Sequence, residues 1–241
     1  MFNGLFDMDK PFWRWIGKIP DMVLLSLCWY LCCIPIITII PASCALFDAV
    51  SRNLMLDEKG CYKRFFRSFV RELKQGIPLT IIWLIIGFLA FYGSYIVNAM
   101  AEVRPDFAIL SILYLVIMIM TAGYLGWLIP LQSRYNQKLL GLHVNAFRFF
   151  LGRLPGTGLI LLSAALVIVA CILTPYTAWL FVVAPCLIAI FHTKPVEKAF
   201  QIAFPQDYED GALVCTEEDR EAIKAISKAK QAEAEARENE Y

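Results

Sequence analysis

The sequence predicts an all-α membrane protein with about five transmembrane helices. Of its 241 residues, 59% are hydrophobic and 18% are charged, whereas soluble domains average about 45–50% apolar and about 25% charged residues. The hydrophobic residues form long runs, and Lys and Arg are concentrated in the segments between alternate runs. One soluble domain of this length has too little interior for these runs, so we expect most of them to face lipid.

Five apolar runs are candidate spans, because a hydrocarbon core of about 30 Å takes about 20 helical residues. The first run contains Pro35 and Pro41, and each removes a backbone donor, so we expect a kinked or broken helix there. The last two runs require a tight turn at 174–176, since a single helix over 158–192 would be about 52 Å long. The five runs cover residues 22–49, 77–97, 107–131, 158–173 and 176–192. We therefore expect a transmembrane domain over 1–192 and a charged cytoplasmic tail over 193–241.

The distribution of Lys and Arg predicts the orientation, since short basic loops are retained in the cytoplasm. Segment 51–76 has seven basic residues and segment 132–157 has four, whereas 98–106 has one and 174–177 has none. We expect the first two segments to be cytoplasmic and the other two external. In a cell-membrane protein with five spans, this places the C-terminus in the cytoplasm and the N-terminus outside. A re-entrant break between the two prolines would reverse only the N-terminus.

Residues 61–74 have the clearest helical periodicity in the chain. Their apolar side chains fall on one arc of about 140°, and five basic side chains fall on the opposite arc. This pattern predicts a basic amphipathic helix in the cytoplasmic interface between spans one and two, with its aromatic face in the acyl boundary and its basic face toward anionic head groups. Two roles stay open, namely anchoring to membrane lipid and docking of a cytoplasmic partner. The candidate docking residues are Lys63, Arg64, Phe65, Phe66, Arg67, Phe69, Arg71 and Lys74.

The sequence contains no recognisable catalytic or metal-binding motif. His143 and His192 are the only histidines, and neither has a Cys, Asp or Glu at ligand spacing. We therefore expect no catalytic residue, no metal, no cofactor, no enzymatic activity and no nucleic-acid partner. An ionisable residue at membrane depth is a functional candidate, and Asp48 comes closest to such a position. Arg52 lies four residues later, so the two can pair on one helix face, either as an ordinary interfacial pair or as part of a cytosolic gate or a solute contact.

Two stretches of sequence resemble the YesL-like family of bacterial integral membrane proteins. They are CCIPIITIIPASCALFDAVSRN at 32–53 and GCYKRFFRSFVRELKQGIPLTIIWLI at 60–85. The likeness begins at NGLFDMDKPFWRW (3–15), and beyond residue 85 it is mainly one of topology. The family has no settled biochemical activity. The resemblance implies genomic association, because such proteins are often encoded beside oligosaccharide-uptake ABC transporters and sugar-responsive two-component systems.

Two functional hypotheses follow. In the first, the chain is a non-enzymatic accessory or regulatory component of a carbohydrate ABC uptake system, and its partners are membrane lipid and an ABC transporter permease or a sensor kinase. In the second, it is a small-solute transporter or channel in its own right. The break at Pro35 and Pro41 would then expose backbone groups to a cavity, as discontinuous spans do, and a homo-oligomer could build the pore.

Overall fold

The protein is all-helical apart from one very short strand pair. The computed structural model describes residues 11–56, 61–135, 138–173, 178–205, 208–209 and 212–213. Within these ranges there are seven α-helices and two strands, which pair antiparallel with Tyr208 opposite Leu213. The helices are α1 (Pro11–Cys33), α2 (Ile39–Leu56), α3 (Cys61–Val103), α4 (Ala108–Arg134), α5 (Leu139–Gly152), α6 (Leu154–Leu173) and α7 (Ala178–Ala203); the strands are β1 (Tyr208–Glu209) and β2 (Ala212–Leu213).

Two helices, α3 and α4, are long and apolar enough to cross a membrane. A third candidate is the pair formed by α5 and Leu154–Ala170 of α6, which is bent by 92° and counts only if it is one broken span. Side chains such as Phe88 in α3 and Ile112 in α4 are largely exposed, as expected for surfaces in contact with lipid. These helices indicate a membrane protein, but the expected count of about five spans is not confirmed.

The first apolar run is broken where its two prolines stand. The helix α1 ends at Cys33, a 3-10 turn covers Ile36–Thr38, and α2 begins at Ile39. Thr38 Oγ1 lies 2.5 Å from the carbonyl oxygen of Cys32 and 2.6 Å from that of Pro35. The Pro35 carbonyl also accepts the backbone N–H of Thr38 at 2.9 Å, so the hydroxyl is available to the Cys32 carbonyl in the last turn of α1. Pro41 falls in the first turn of α2, where a backbone N–H is not needed.

The amphipathic segment is not a separate helix. Residues 61–74 are the first turns of α3, which continues through the apolar run to Val103 over 43 residues, or about 64 Å. The interfacial helix that we expected to end before the span is therefore corrected to an extension of the span itself. Close packing supports this continuity, because a Cβ at Gly76 would lie 2.4 Å from Cγ of Pro41 in α2. Only glycine allows this approach of the two helices.

The end of α7 also differs from the expected domain boundary at 192/193. The helix continues to Ala203, and Val196, Glu197 and Phe200 are buried, so the described start of the expected tail belongs to the folded body. Phe200 joins a core centred on Trp127, whose Nε1 donates a hydrogen bond of 2.8 Å to Thr157 Oγ1. The expected turn at 174–176 lies outside the described residues, as does the tail from 214 onward.

Candidate functional site

The first four turns of α3 present three faces. At about 100° per residue, one face contains Cys61, Phe65, Ser68 and Glu72, which are all buried. Phe65 belongs to a buried apolar cluster that includes residues of α1, α2 and α7, and Phe69 packs against this cluster. The aromatic arc expected in the acyl boundary is therefore divided, because these two rings pack mainly inside the protein.

The other two faces of this segment are exposed. Tyr62, Phe66 and Val70 form an apolar strip with exposed fractions of 41, 46 and 66%. A basic strip runs beside it along the helix, and all of its members are exposed. It consists of Lys63, Arg67, Arg71 and Lys74. An apolar strip next to a basic strip is the combination that binds a membrane interface or an amphipathic acidic partner.

Arg64, the remaining docking candidate, contacts a buried carboxylate instead of joining the basic strip. Asp48 in α2 lies with one oxygen 3.1 Å from Arg52 Nε, as the four-residue spacing predicts. Its other oxygen accepts a hydrogen bond of 2.5 Å from Ser68 Oγ and lies 3.7 Å from Arg64 Nε. Asp48 therefore joins α2 to α3, which the sequence alone did not indicate.

A second carboxylate, Glu72, joins α3 to α4. It accepts hydrogen bonds from Arg71 Nε at 2.9 Å and from Gln132 Nε2 at 3.4 Å. Arg71 also donates to the backbone oxygen of Ser133 at 3.0 Å. The exposed basic strip is thus connected through Arg71 to the buried end of α4.

The third carboxylate, Glu197, joins α4 to α7 through an ion pair with Arg134, and the two side chains are only 4% and 2% exposed. The Arg134 guanidinium also lies 5.4 Å from the ring centre of Phe47 and 5.6 Å from that of Phe200, within the range of cation–π attraction. This buried pair and the contacts of Asp48 and Glu72 form one layer, the charge network. Its members are Asp48, Arg52, Arg64, Arg71, Glu72, Arg134 and Glu197.

The charge network lies at the ends of the apolar runs, on the side where α2 ends and α3 begins. Glu72 precedes the apolar part of α3, whereas Arg134 and Glu197 follow those of α4 and α7. Removing one partner of a buried ion pair costs about 3–5 kcal/mol, although the pair itself adds little net stability. The network therefore fixes the relative positions of four helix ends and holds the two strips in a defined orientation.

A cavity of about 590 Å³ lies beside the network, between α1, α2, α4, α6 and α7. Most of the side chains that line it are apolar. They are Trp29, Tyr30, Ser43, Leu46, Phe47, Gly126, Ile129, Pro130, Val167, Ile168, Ala184, Pro185, Ile188, Ala189 and His192. Such a volume is typical of small-molecule sites, so the cavity is a second candidate site.

The two histidines lie in different environments. His143 in α5 is hydrogen-bonded through Nδ1 to the hydroxyl of Tyr124 at 2.7 Å, whereas His192 lines the cavity. Among the described residues, no group of three or more His, Cys, Asp and Glu side chains is placed to hold a metal ion.

Sequence reasoning missed Glu72, Gln132, Arg134 and Glu197. A signal for the buried face of α3 was present in the spacing of Cys61, Ser68 and Gly76, since small residues at helical intervals permit close helix packing. Hydrophobicity alone predicted instead that the aromatic side chains of this segment lie together in the acyl boundary of the membrane. No comparable signal links Arg134 with Glu197, because their pairing depends on how α4 and α7 cross.

Residues 22–94 match a family model described as protein of unknown function, DUF624. This stretch is less than a third of the chain, and it contains the helix break, Asp48 and the first half of α3. It therefore includes both strips and the α2–α3 part of the charge network. The comparison with curated proteins gives no match, and the comparison with solved structures gives none either.

Proposed function

We propose that this protein is a non-enzymatic accessory or regulatory component of a carbohydrate, and specifically oligosaccharide, ABC uptake system of the bacterial cell membrane. It docks on a permease or a sensor kinase through the apolar and basic strips of α3. The carbohydrate assignment rests on the resemblance to YesL-like proteins. In this proposal the charge network faces the cytoplasm, together with the C-terminus, and the N-terminus is external, in accordance with the distribution of Lys and Arg.

The observation that carries the proposal is the composite surface of α3. Lys63, Arg67 and Lys74 form no ion pair with any described residue, so their charges are available to an acidic surface. The neighbouring strip of Tyr62, Phe66 and Val70 offers large exposed side chains, and aromatic and Arg residues are enriched in protein interfaces. The charge network supports this surface from behind.

The test is affinity recovery of the full-length tagged chain from mildly solubilised native membranes, followed by mass spectrometry. We expect permease or sensor-kinase subunits to be recovered with the native chain. Charge reversal of Lys63, Arg67 and Lys74 to Glu should abolish this recovery, because it turns attraction to an acidic partner into repulsion. These three positions are preferable to Arg64 and Arg71, which also hold the fold together.

The matched control reverses three exposed basic residues at the same end of the bundle, Lys138, Arg148 and Lys194. This variant carries the same change in net charge and should retain the partner. Equal recovery from both variants would contradict docking through α3. Recovery of the native chain alone, or only with further copies of itself, would contradict the accessory role.

The second candidate function, a small-solute transporter or channel, is favoured by the cavity and by the helix break between α1 and α2, two of the helices that line it. Discontinuous helices line the substrate sites of many transporters. This function predicts solute flux into vesicles that contain the purified protein alone. The accessory function predicts no flux above that of protein-free vesicles.

A further inference from the structure

The end of α7 lies close to the Lys74 end of the basic strip, and the end of α4 joins the two. Arg71, in that strip, donates a hydrogen bond of 3.0 Å to the backbone oxygen of Ser133 in α4. Two residues later, the ring centre of Tyr135 lies 4.9 Å from that of Phe204, which directly follows α7. The chain that leaves α7 therefore starts at the same end of the bundle as the strip.

The strand pair keeps the following residues near this point. β1 and β2 pair antiparallel with Tyr208 opposite Leu213, so the chain that leaves β2 starts beside the residue that enters β1. Four residues separate Phe204 from Tyr208 and span at most about 14 Å, and paired strands lie about 5 Å apart. The chain beyond Leu213 therefore begins within about 20 Å of the end of α7.

The chain beyond β2 is acidic in its first part only. The stretch 217–221 has four acidic residues and one arginine, whereas 222–241 has four acidic and four basic residues. In an extended conformation 217–221 is about 14 Å long, and the strip from Lys63 to Lys74 is about 17 Å long. The stretch and the strip thus have similar lengths and opposite charges. The four acidic residues are Glu217, Glu218, Asp219 and Glu221.

We propose that the acidic stretch 217–221 docks on the basic strip of α3 in the same chain. Exposed ion pairs are individually weak, but the connection through α7 makes this contact intramolecular. A short connection of that kind gives an effective concentration in the millimolar range. The contact itself needs no partner. Its consequence rests on the proposed function, because a permease or sensor kinase with an acidic surface must then displace the stretch from the strip.

The first test is carbodiimide crosslinking, which joins a carboxylate to an amine that it contacts, in the purified full-length protein in detergent. We expect mass spectrometry to find bonds from Lys63 and Lys74 to 217–221 in the monomer. Lys138 and Lys194 are exposed at the same end of the bundle and serve as internal controls that should rarely be joined to that stretch. The yield should fall about tenfold when the salt concentration is raised to about 1 M, because the screening length then falls to about 3 Å.

A pair of matched variants tests whether the charge of the strip holds the stretch. Arg67→Gln removes a charge from the middle of the strip and leaves both reactive lysines in place. It should lower the crosslinking yield about two- to fivefold, the contribution of one exposed ion pair. Arg148→Gln, the same change at an exposed residue of α5, should crosslink as the native chain does.

Three results would overturn the proposal. The first is a yield from Lys63 and Lys74 no higher than the yield from the control lysines. The second is an equal yield from Arg67→Gln and Arg148→Gln. The third is crosslinking confined to dimers, which would show that the stretch contacts a second copy instead.

Partner recovery from native membranes separates this proposal from the proposed function. A variant with a neutral stretch should recover several-fold more permease or sensor kinase than the native chain, because the competing segment no longer binds the strip, and unchanged recovery would contradict the competition. Crosslinks without any recovered partner would contradict the accessory role alone, and a recovered partner without crosslinks would contradict the docked stretch alone. The neutral variant combines Glu217→Gln, Glu218→Gln, Asp219→Asn and Glu221→Gln.

Discussion

Replacement of Asp48 by Asn tests the charge network most directly, since it preserves the shape of the side chain and removes its charge. In the native chain this buried carboxylate lies 3.1 Å from Arg52 Nε and accepts a hydrogen bond of 2.5 Å from Ser68 Oγ. Loss of one partner of a buried ion pair costs about 3–5 kcal/mol. We expect about 3 kcal/mol, the lower end of that range, because an amide oxygen still accepts a bond from Ser68 and Arg64 is partly exposed to water.

The assay is equilibrium unfolding of the purified full-length protein in detergent, followed by circular dichroism. The matched control is Asp106→Asn, the same chemical change at an exposed residue of the 3-10 turn between α3 and α4. Exposed substitutions of this kind usually change the free energy of unfolding by no more than about 0.5 kcal/mol. Only the change at Asp48 should therefore lower stability substantially.

A double-mutant cycle with Arg52→Met separates the ion pair from other effects of the substitution. Because the two side chains are in contact, we expect a coupling energy of about 1–3 kcal/mol, and the double variant should be more stable than the sum of the single changes predicts. Two results would refute the reasoning. One is an Asp48→Asn variant as stable as Asp106→Asn, and the other is strict additivity of the changes at Asp48 and Arg52.

Two further predictions use the same unfolding assay. Glu197→Gln removes the carboxylate that faces a buried arginine of α4 and should lower the free energy of unfolding by about 3–5 kcal/mol. Lys198→Gln, on the exposed side of the same helix, should change stability little. Equal losses of stability in the two variants would contradict the expected cost of breaking the buried ion pair. Gly76→Ala should lower the free energy of unfolding by about 1–3 kcal/mol, because the new methyl group is overpacked against the proline ring of α2. At Gly87 a Cβ meets no atom within 4 Å, so Gly87→Ala should stabilise the helix by up to about 1 kcal/mol. A Gly76→Ala variant as stable as Gly87→Ala would contradict the close helix approach.

The sequence predicted the class of the fold and the position of its main irregularity because both depend on local properties. Long apolar runs favour helices in lipid whatever surrounds them, and a proline removes its backbone donor in any context. The separation of Asp48 from Arg52 likewise predicts a contact within one helix. Two finer features were harder to predict, because we placed them from composition. They are the end of the interfacial helix, expected before Gly76, and the domain boundary, expected at 192/193. Composition does not show that α3 and α7 continue as packed helices across those points.

By itself the sequence determined that this is a helical membrane protein with a basic segment between its first apolar runs. Only the tertiary structure decided which side of that segment is inside. Phe65 is buried and Phe66 is exposed, although the two side chains are chemically identical. The tertiary structure also decided that Glu72 meets Gln132, 60 residues away, and that α4 and α7 meet through a buried ion pair. The physical reason is that pairing over such distances depends on how helices cross, which hydrophobic periodicity along one helix does not encode.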